Sequence, residues 1–548
     1  MSDAAITLGK AGAWESDTAQ KRLRKRYAAD FRLKVYGIAA IAFAILMLAV
    51  LVVSLVITGY SAFVQSKVDL KVYIDPEYVK ADNLGDGNYR VIVREAFAKY
   101  FPEVTNRRQQ TDLQKLLTSD AQYVVRNYVL SNPDSVGKTI SVLVSFSDPF
   151  DQLHKGVIPD HLEALHPSQM RDFRSLQSRR VINVDGGRAT VTIDAFLDPA
   201  KVNAADLAGG DYQAIVEEGL ASYFPQSGAR DYLGILGSDA AASLKAHVEG
   251  HPGEIGKTVR VPVPVAEPFV TLAKGETPRI VNPRLGSENA LKWYRSLVER
   301  GLIHTVFASE LFLNADSRFP EGAGLAGAIA GSFFALLVCF LLSFPIGIAA
   351  AAYLEEFAPK NRFTDLIEVN INNLAAVPSV VFGLLGLAVF IGTFGLPRSA
   401  PLVGGMVLSL MTLPTIIIVT RAALKAVPPS IREAALSIGA SKHQVMMHHV
   451  LPLAMPGILT GTIIGLAQAL GETAPLLLIG MNAFIPSVEN LGILQPATAL
   501  PTQIFSWADS PERGFVARTS AAILILLGFL VVMNGIAIYL RHRFERRW

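Results

Sequence analysis

Long uncharged runs constrain the fold of this chain more than any other feature of its sequence. Gly37–Tyr60 has no charged side chain and is long enough to cross about 30 Å of hydrocarbon as a helix. Five further apolar runs follow, of which one contains a single charged residue, Glu472: Ala323–Ala352, Leu374–Pro397, Pro401–Thr420, Leu453–Met481 and Thr519–Leu540. Hydrophobic residues make up 51% of the chain and charged residues only 18%. The sequence therefore predicts a polytopic α-helical membrane protein with six transmembrane helices.

Basic residues at both ends predict the orientation. The tail 1–35 carries seven cations in its second half: Lys21, Arg22, Arg24, Lys25, Arg26, Arg32 and Lys34. The segment 36–63 exceeds the apolar region of a cleaved signal peptide, so we expect a retained signal anchor as the first transmembrane helix. Six crossings return the C-terminus to the starting side, with Arg541, Arg543, Arg546 and Arg547. The positive-inside rule then predicts that both termini are cytoplasmic.

Residues 64–316 lack a membrane-length run and contain an internal duplication. Asp86-Gly87-Asn88-Tyr89 is echoed by Gly210-Asp211-Tyr212, 123 residues later, and Gly137-Lys138-Thr139 by Gly256-Lys257-Thr258. Each copy predicts an extended segment, two helices and an alternating strand, the strands being Ile140–Ser145 and Val259–Val265. We expect an inserted periplasmic α+β domain made of two similar repeats, related by pseudo-twofold symmetry.

Composition and motif spacing exclude several chemistries. The Gly-Lys-Thr triplets lack the upstream glycine of a phosphate-binding loop, and a strand-like pattern follows each of them. Cys339 is the only cysteine, and the histidines show no spacing that suggests zinc. A net charge of +3 does not favour nucleic acid. The sequence therefore predicts no catalytic residue, no metal and no cofactor.

A polar stretch, 428–452, separates the fourth and fifth apolar runs. Ser430-x-x-Glu433 and Ser441-x-x-Gln444 have the spacing of capping boxes, and Gly439 lies between them where a left-handed residue commonly ends a helix. The first helix carries four apolar residues at helical spacing, namely Ile431, Ala434, Ala435 and Ile438. Two short helices ending at Pro452 suit docking into a groove of another protein. The alternative is an ordinary connecting loop.

The stretch 428–452 resembles the EAA loop of ABC importer permeases through Glu433-Ala434-Ala435, Gly439 and Leu451-Pro452. In that family the loop is the cytoplasmic coupling helix that sits in a cleft of the ATPase subunit. His449 departs from the aliphatic residue usual there. The resemblance implies that the ATPase-docking residues are Ser430, Glu433, Ala434, Ala435, Gly439, Ser441, Leu451 and Pro452.

Three further motifs resemble the PstA family of phosphate-importer permeases, over roughly residues 317–540. They are Gly471-Glu472-Thr473-Ala474-Pro475, Pro378-Ser379-Val380-Val381-Phe382-Gly383 and Tyr353-Leu354-Glu355-Glu356. The resemblance implies a type I ABC importer core at 317–548, in the branch with an extra N-terminal periplasmic domain, and a non-catalytic subunit of the bacterial inner membrane. The implied partners are an ABC ATPase dimer (PstB-like), a second permease (PstC-like), a periplasmic phosphate-binding protein (PstS-like) and membrane lipid.

Glu472 is a charged residue within an apolar run, where charge is costly and commonly functional. We expect a translocation path with Glu472, Gln468, Thr473, Ser379 and Arg421; the alternative is a structural glutamate paired with another helix. Many relatives have arginine at the position of Gln468. Without it, Glu472 would repel phosphate unless burial keeps it protonated, or unless the partner permease, Arg421 or Arg398 supplies a cation.

Other functions stay open at this point. A permease for another oxyanion, such as sulfate or molybdate, has the same architecture. A membrane sensor with a periplasmic ligand-binding domain predicts a signalling domain after the last run, where the sequence has a short basic tail. A membrane enzyme requires a catalytic constellation that the sequence does not show.

Overall fold

The computed structural model describes residues 17–80, 82–225, 231–488 and 491–544. The first part of the predicted N-terminal tail, and the C-terminal Arg546 and Arg547, lie outside these residues. The chain forms two compact units. The first unit comprises the described parts of 1–93, 117–151 and 303–548, and the second comprises those of 94–116 and 152–302.

The strands and helices are as follows. The strands are β1 (Val64–Tyr73), β2 (Thr139–Ser145), β3 (His161–Glu163), β4 (Ile182–Asp185), β5 (Arg188–Phe196), β6 (Thr258–Pro264), β7 (Arg279–Val281) and β8 (Ile303–Phe307). The helices are α1 (Asp17–Phe63), α2 (Tyr89–Ala98), α3 (Arg107–Gln114), α4 (Ala121–Ser131), α5 (Asp148–His154), α6 (Pro167–Ser178), α7 (Tyr212–Ala221), α8 (Ala240–Gly250), α9 (Glu267–Ala273), α10 (Glu288–Glu299), α11 (Glu310–Leu313), α12 (Ala326–Ala352), α13 (Arg362–Ala375), α14 (Ser379–Leu385), α15 (Pro401–Lys425), α16 (Pro429–Ser437), α17 (Lys442–Gln444), α18 (Leu451–Gly471), α19 (Ala474–Leu478), α20 (Leu500–Ala508) and α21 (Gly514–Phe544).

In the first unit, a three-stranded antiparallel sheet follows α1 directly, in the order β2-β1-β8. Its central strand alternates, and Val68, Leu70 and Val72 are fully buried on one face. Val68 pairs with Val144 on one side and with Ile303 on the other. The alternating apolar pattern therefore sets the register, because a slip of one residue would expose this face.

In the second unit, the antiparallel sheet has the order β4-β5-β6, and β3 pairs with β7. The hairpin between β4 and β5 turns through Gly186 and Gly187, which have φ of +53° and +86°. Glycine suits this turn because both central residues of such a hairpin need positive φ. Phe173 and Leu176 of α6 are fully buried in the core above β5.

The element order repeats along the sequence. The series β1-α2-α3-α4-β2-α5-β3-α6-β4 is followed by β5-α7-α8-β6-α9-β7-α10-β8, in which a short 3₁₀ helix, Asp231–Ile235, stands at the place of α3. A strand follows each Gly-Lys-Thr triplet, as predicted, and the triplet glycines Gly137 and Gly256 both have positive φ. The triplets therefore begin strands instead of cradling a phosphate group.

Five helices of the described chain are long and apolar enough to cross a membrane: Lys21–Phe63, Ala326–Phe357, Pro401–Lys425, Lys442–Gly471 and Gly514–Arg543. The third predicted run forms two helical pieces, Arg362–Ala375 and Ser379–Thr393, bent by 102°. Counting the pair as one span gives six. The bend precedes Ser379 because Pro378 disfavours helical backbone in the residue before it.

The predicted fifth run, Leu453–Met481, is not one helix. The helix starts earlier, at Lys442, and ends at Gly471, after which α19 is a separate short piece. Glu472 has extended backbone (φ −74°, ψ 119°). The helix ends here because Pro475 lacks an N–H for the preceding turn and clashes with it.

Candidate functional site

The first docking helix, α16, begins two residues earlier than the sequence pattern predicted. Pro428 is its N-cap and Pro429 its first residue, a position where proline is favoured because its N–H would be unpaired anyway. Ser430 therefore lies inside the first turn, and no side chain caps the helix. The predicted Ser430–Glu433 capping box is wrong for this reason.

The turn after α16 is as predicted. Gly439 has φ of +87°, and the amide of Ala440 donates to the carbonyl of Ala435 at 3.1 Å. The Ser441–Gln444 capping box is confirmed: the Ser441 amide donates to Gln444 Oε1 at 2.8 Å, and the Gln444 amide to Ser441 Oγ at 3.3 Å. The end of α16 and the start of α17 therefore both find hydrogen-bond partners within this turn.

The second helix does not end at Pro452. From Lys442 the chain is helical to Gly471, with a π-helical segment at Val445–Val450. Leu451 and Pro452 are half-buried within this continuous helix. An internal proline removes one backbone hydrogen bond of a helix. Here the π-helical segment directly before Pro452 already changes the hydrogen-bond pattern of the backbone, so the helix continues through the proline. The docking stretch is thus a short helix followed by the first turns of a long helix.

We call residues 428–450 the elbow. Its inner side packs on a buried cluster that includes Leu424, Val427, Val445, Met446 and Val450. Of the four predicted apolar positions, Ala435 is buried and Ile431 half-buried, while Ala434 is exposed and Ile438 is 82% exposed. The other predicted docking residues of the elbow, Ser430, Glu433, Gly439 and Ser441, are exposed. The elbow therefore presents a small-residue surface with an apolar tip.

Arg432 holds the elbow against the end of α15. Its Nη1 and Nη2 donate to the carbonyls of Val427 and Leu424 at 2.7 and 2.8 Å, and its Nε to Glu356 Oε1 at 2.9 Å. The last carbonyls of a helix have no partner within the helix and favour a positive charge. Sequence reasoning missed this contact, because Arg432 and Glu356 are 76 residues apart.

Arg421, predicted on the translocation path, lies in a neighbouring charge network. Its Nη2 binds Glu368 Oε1 at 2.7 Å and its Nε lies 3.5 Å from Glu355, which Lys425 also approaches at 3.5 Å. Three carboxylates, those of Glu355, Glu356 and Glu368, thus face three cations, those of Arg421, Lys425 and Arg432. The charge of Arg421 is already compensated.

Arg421 and Glu472 are not brought together. A Cβ added to Gly461 would collide with Val419, which places that part of α18 beside Arg421. Glu472 lies eleven residues further along, about 16 Å on an α-helix. The other candidate cation, Arg398, lies against Gly480, with its Nε 2.9 Å from where a Cβ would be.

Glu472 is half-buried at the break between α18 and α19. In the part of the chain that the structure describes it forms no ion pair and no hydrogen bond through its carboxylate. Gln468 is exposed one turn earlier, and Thr473 is half-buried just before α19. A broken helix frees backbone groups, which membrane proteins tolerate where the break is covered by protein or lines a polar cavity.

Two of the three motifs, 378–383 and 471–475, pack on each other. A Cβ on Gly383 of α14 would lie 2.7 Å from Pro475 Cα and 3.1 Å from its carbonyl oxygen. Only glycine permits this approach of α14 to α19. Ser379, half-buried, is the first residue of α14. Among the described residues, no group of three His, Cys, Asp or Glu side chains is arranged to hold a metal ion.

A buried polar junction lies at the start of α21. The Arg518 guanidinium donates to the carbonyls of Glu321 and Ala323, both at 3.2 Å, and Gln65 Nε2 donates to the Glu321 carbonyl at 2.9 Å. The side chain of Glu321 is buried beside Thr118. Burial raises the pKa of its carboxyl to about 7.

Comparison with known families agrees with this architecture. Residues 343–546 match the family described as binding-protein-dependent transport system inner membrane component. Residues 20–164 and 187–282 match a domain of unknown function, DUF3333. The second match covers most of the duplicated region and adds no activity to it.

Individual proteins are also similar. The phosphate transport system permease protein PstA of Haemophilus influenzae is 31% identical over 242 residues, which are 44% of this chain and 82% of that protein. PstA 1 of Mycobacterium tuberculosis (strain H37Rv) is 32% identical over 232 residues, 42% of this chain and 73% of that protein. A chain in an inward-facing structure of the MetNI methionine ABC transporter is similar at 17% identity and a TM-score of 0.31, and the match covers 41% of this chain and 95% of that chain.

Proposed function

The chain belongs to the PstA family of inner-membrane ABC importer permeases, and on that premise we propose that it is a transmembrane subunit of an ATP-driven phosphate importer. Permeases of this family are membrane subunits, and ATP hydrolysis belongs to a partner ATPase. In the proposal, this chain forms half of the path and pairs with a second permease. A periplasmic phosphate-binding protein delivers the substrate.

The observation that carries the proposal is the elbow. Its inner side is buried and Arg432 fixes it to α15, while its outer side exposes Glu433, Ala434 and Ile438. A rigid surface of small residues with one protruding apolar side chain suits a groove of a partner protein. We propose that this groove belongs to the ATPase dimer.

The proposed topology has six crossings, with the bent pair Arg362–Ala375 and Ser379–Thr393 counted as one. Both termini and the elbow then face the cytoplasm, where ATP is available. The duplicated region, 64–316, faces the periplasm as an insertion of two α+β repeats. The basic residues of the N-terminal tail and of the end of α21 support this orientation.

We propose that the translocation path runs past the broken helix at Glu472, with Gln468, Thr473 and Ser379 as its polar side chains. Because Arg421 is held by Glu355 and Glu368, the cation that balances the anion comes from the partner permease. ATP binding would close the ATPase dimer, shift the elbow and, through the long helix Lys442–Gly471, open the path to the opposite side.

Radiolabelled phosphate uptake tests the proposal directly. Cells that lack this protein should lose high-affinity phosphate uptake and regain it when the intact gene is supplied. Sulfate and molybdate uptake, measured in the same cells, should not change. Loss of sulfate or molybdate uptake with normal phosphate uptake would instead assign the permease to another oxyanion. Unchanged uptake of all three anions would refute a role in oxyanion import.

A further inference from the structure

Two equivalent helices of the two series, α6 and α10, carry cations at the same positions but differ in how those cations are paired. Helix α6 and helix α10 are equivalent, since each follows a short strand and precedes the last strand of its series. At an offset of 121 residues their cations coincide, Arg171 with Lys292, Arg174 with Arg295, and Arg179 with Arg300. The same row of positive charge thus lies on the outer face of both helices.

On α10 two members of this row have partners within the chain. Arg295 Nη2 binds Asp160 Oδ2 at 2.6 Å, and Arg300 Nη1 donates to the carbonyl of Tyr100 at 2.9 Å. Arg300 also lies over the ring of Phe101. These cations contribute to the fold of the second unit.

On α6 the row is exposed and largely unpartnered. Arg179 lies over the ring of Tyr223, the counterpart of the Arg300 contact. Arg171 and Arg174 form neither hydrogen bonds nor ion pairs with any residue that the structure describes. Asp160, the aspartate that compensates Arg295, directly precedes β3. The residue directly before the equivalent strand, β7, is Pro278, so the corresponding place holds no acid. The cations of α6 therefore lack the acidic partner that Arg295 of α10 has.

Arg180 adds a second, independent observation. It follows α6 with φ of +58°, a left-handed conformation that residues with a Cβ rarely adopt. The equivalent residue after α10 is Gly301, with φ of +68°. An arginine at a glycine position strains the backbone, and its exposed side chain gains no partner among the described residues. Such strain points to a role outside the fold.

We propose that Arg171, Arg174 and Arg180, here called the arginine face, dock an acidic surface of the substrate-binding protein. This inference rests on the proposed function, in which such a protein delivers the anion. Arginine pairs with carboxylates through two parallel hydrogen bonds, which gives orientation as well as attraction. The exposed side of α6 has no large apolar side chain, because Phe173 and Leu176 are buried. A helix that binds a bilayer surface needs an exposed apolar face, so the arginine face favours a protein partner.

The test uses the full chain assembled with its partner permease and ATPase dimer, in discs of zwitterionic lipid. The measurement is the Kd for the purified, phosphate-loaded binding protein at low and at physiological salt. Arg171→Glu/Arg174→Glu/Arg180→Glu should raise the Kd at least about tenfold and flatten its salt dependence. Lys292→Glu, at the equivalent position of the second series, should change the Kd less than about twofold.

Arg180→Gly separates docking from folding. It should raise the Kd about two- to threefold and raise the thermal midpoint of the chain, since glycine relieves the strain. An unchanged Kd in the triple variant would overturn the proposal. So would loss of binding to phosphatidylglycerol vesicles with an unchanged Kd, which would assign the arginine face to lipid. If the wild-type chain assembles with no ATPase and binds no binding protein, the proposed function itself fails.

Discussion

The guanidinium of Arg432 binds the carboxylate of Glu356 at 2.9 Å, while its two other nitrogens donate to the carbonyls of Leu424, in the last turn of α15, and of Val427, just beyond it. One side chain therefore joins the segment after α12, the end of α15 and the elbow. The angle of the elbow to the long helices is set by this arginine together with the buried cluster beneath it.

Arg432→Ala should loosen the elbow and reduce ATP-driven uptake. Hydrogen bonds to a charged group contribute about 1.5–3 kcal/mol each, so we expect uptake to fall about tenfold or more. The measurement is phosphate uptake by proteoliposomes that contain the whole complex. Arg362→Ala removes an exposed cation of α13 and should leave uptake unchanged. Equal uptake in the two variants would contradict the role given to Arg432.

Gly439 should tolerate asparagine and reject valine. A Cβ at Gly439 meets no atom within 4 Å, so the cost of substitution is conformational, about 1–2 kcal/mol for most residues at positive φ. Asparagine adopts this conformation more readily. We expect Gly439→Val to lower the ratio of phosphate transported to ATP hydrolysed, and Gly439→Asn to keep it. A normal ratio with valine would show that the turn does not position the elbow.

Gly383→Ala should separate α14 from α19. The added methyl group would lie 2.7 Å from Pro475 Cα, and overpacking of this kind costs about 1–3 kcal/mol. The expected results are a lower thermal midpoint in detergent and reduced uptake. Gly528→Ala is the matched control, because a Cβ at Gly528 meets nothing within 4 Å. If both variants melt at the wild-type temperature, the contact between the two motifs is not tight.

Glu472→Gln should change transport without changing assembly. The carboxylate has no partner among the described residues, so its removal breaks no contact of the fold. We expect altered uptake kinetics, with normal yield of the complex on purification. Gln468→Arg, which supplies a cation one helical turn away, is the companion variant and should shift uptake in the opposite direction. Uptake kinetics identical to wild type in both variants would leave Glu472 outside the path.

Glu321→Gln should remove a pH dependence of stability. The pKa of this carboxyl is about 7 in the fold, above the ordinary 4.5, because the side chain is buried and Asp148 and Asp120 are near. The folded chain then binds more protons than the unfolded chain between these two pH values. Stability is therefore expected to fall as the pH rises from about 4.5 to about 7, and to change no further above it.

The amide variant should be the more stable one above pH 7, by about 3 kcal/mol at most, because it carries no buried charge. Thermal midpoints at pH 5.5 and 8 measure this, with the exposed Glu163→Gln as control. A wild-type midpoint that rises from pH 5.5 to 8, with no change in the variant, would show the opposite sign and refute the assignment.

Local patterns predicted the parts of the fold that local physics decides. The uncharged run at Gly37–Tyr60 lies within one helix, strands follow both Gly-Lys-Thr triplets, and Gly439 and Ser441 form the expected turn. Charge, alternation and the conformational freedom of glycine act over a few residues, so the sequence displays them directly.

The sequence patterns missed two helix ends that a nearby proline decides, the start of α16 and the end of α18, and the contacts between distant segments. The start of α16 depends on Pro429, which the capping pattern at Ser430 masked. The contact between Gly383 and Pro475 needs the packing of separate helices. The pairing of Arg432 with Glu356 cannot be inferred from sequence spacing, because the two residues are 76 positions apart and belong to no repeated pattern.

The continuous helix Lys442–Gly471 places the elbow and Glu472 at opposite ends of a single rod, roughly 45 Å long. A rod of that length acts as a lever. A tilt of about 10° at one end displaces the other end by roughly 8 Å, which is more than twice the length of a hydrogen bond. In the proposed function, small rotations that the ATPase imposes on the elbow are therefore enlarged at Glu472, where the helix is interrupted.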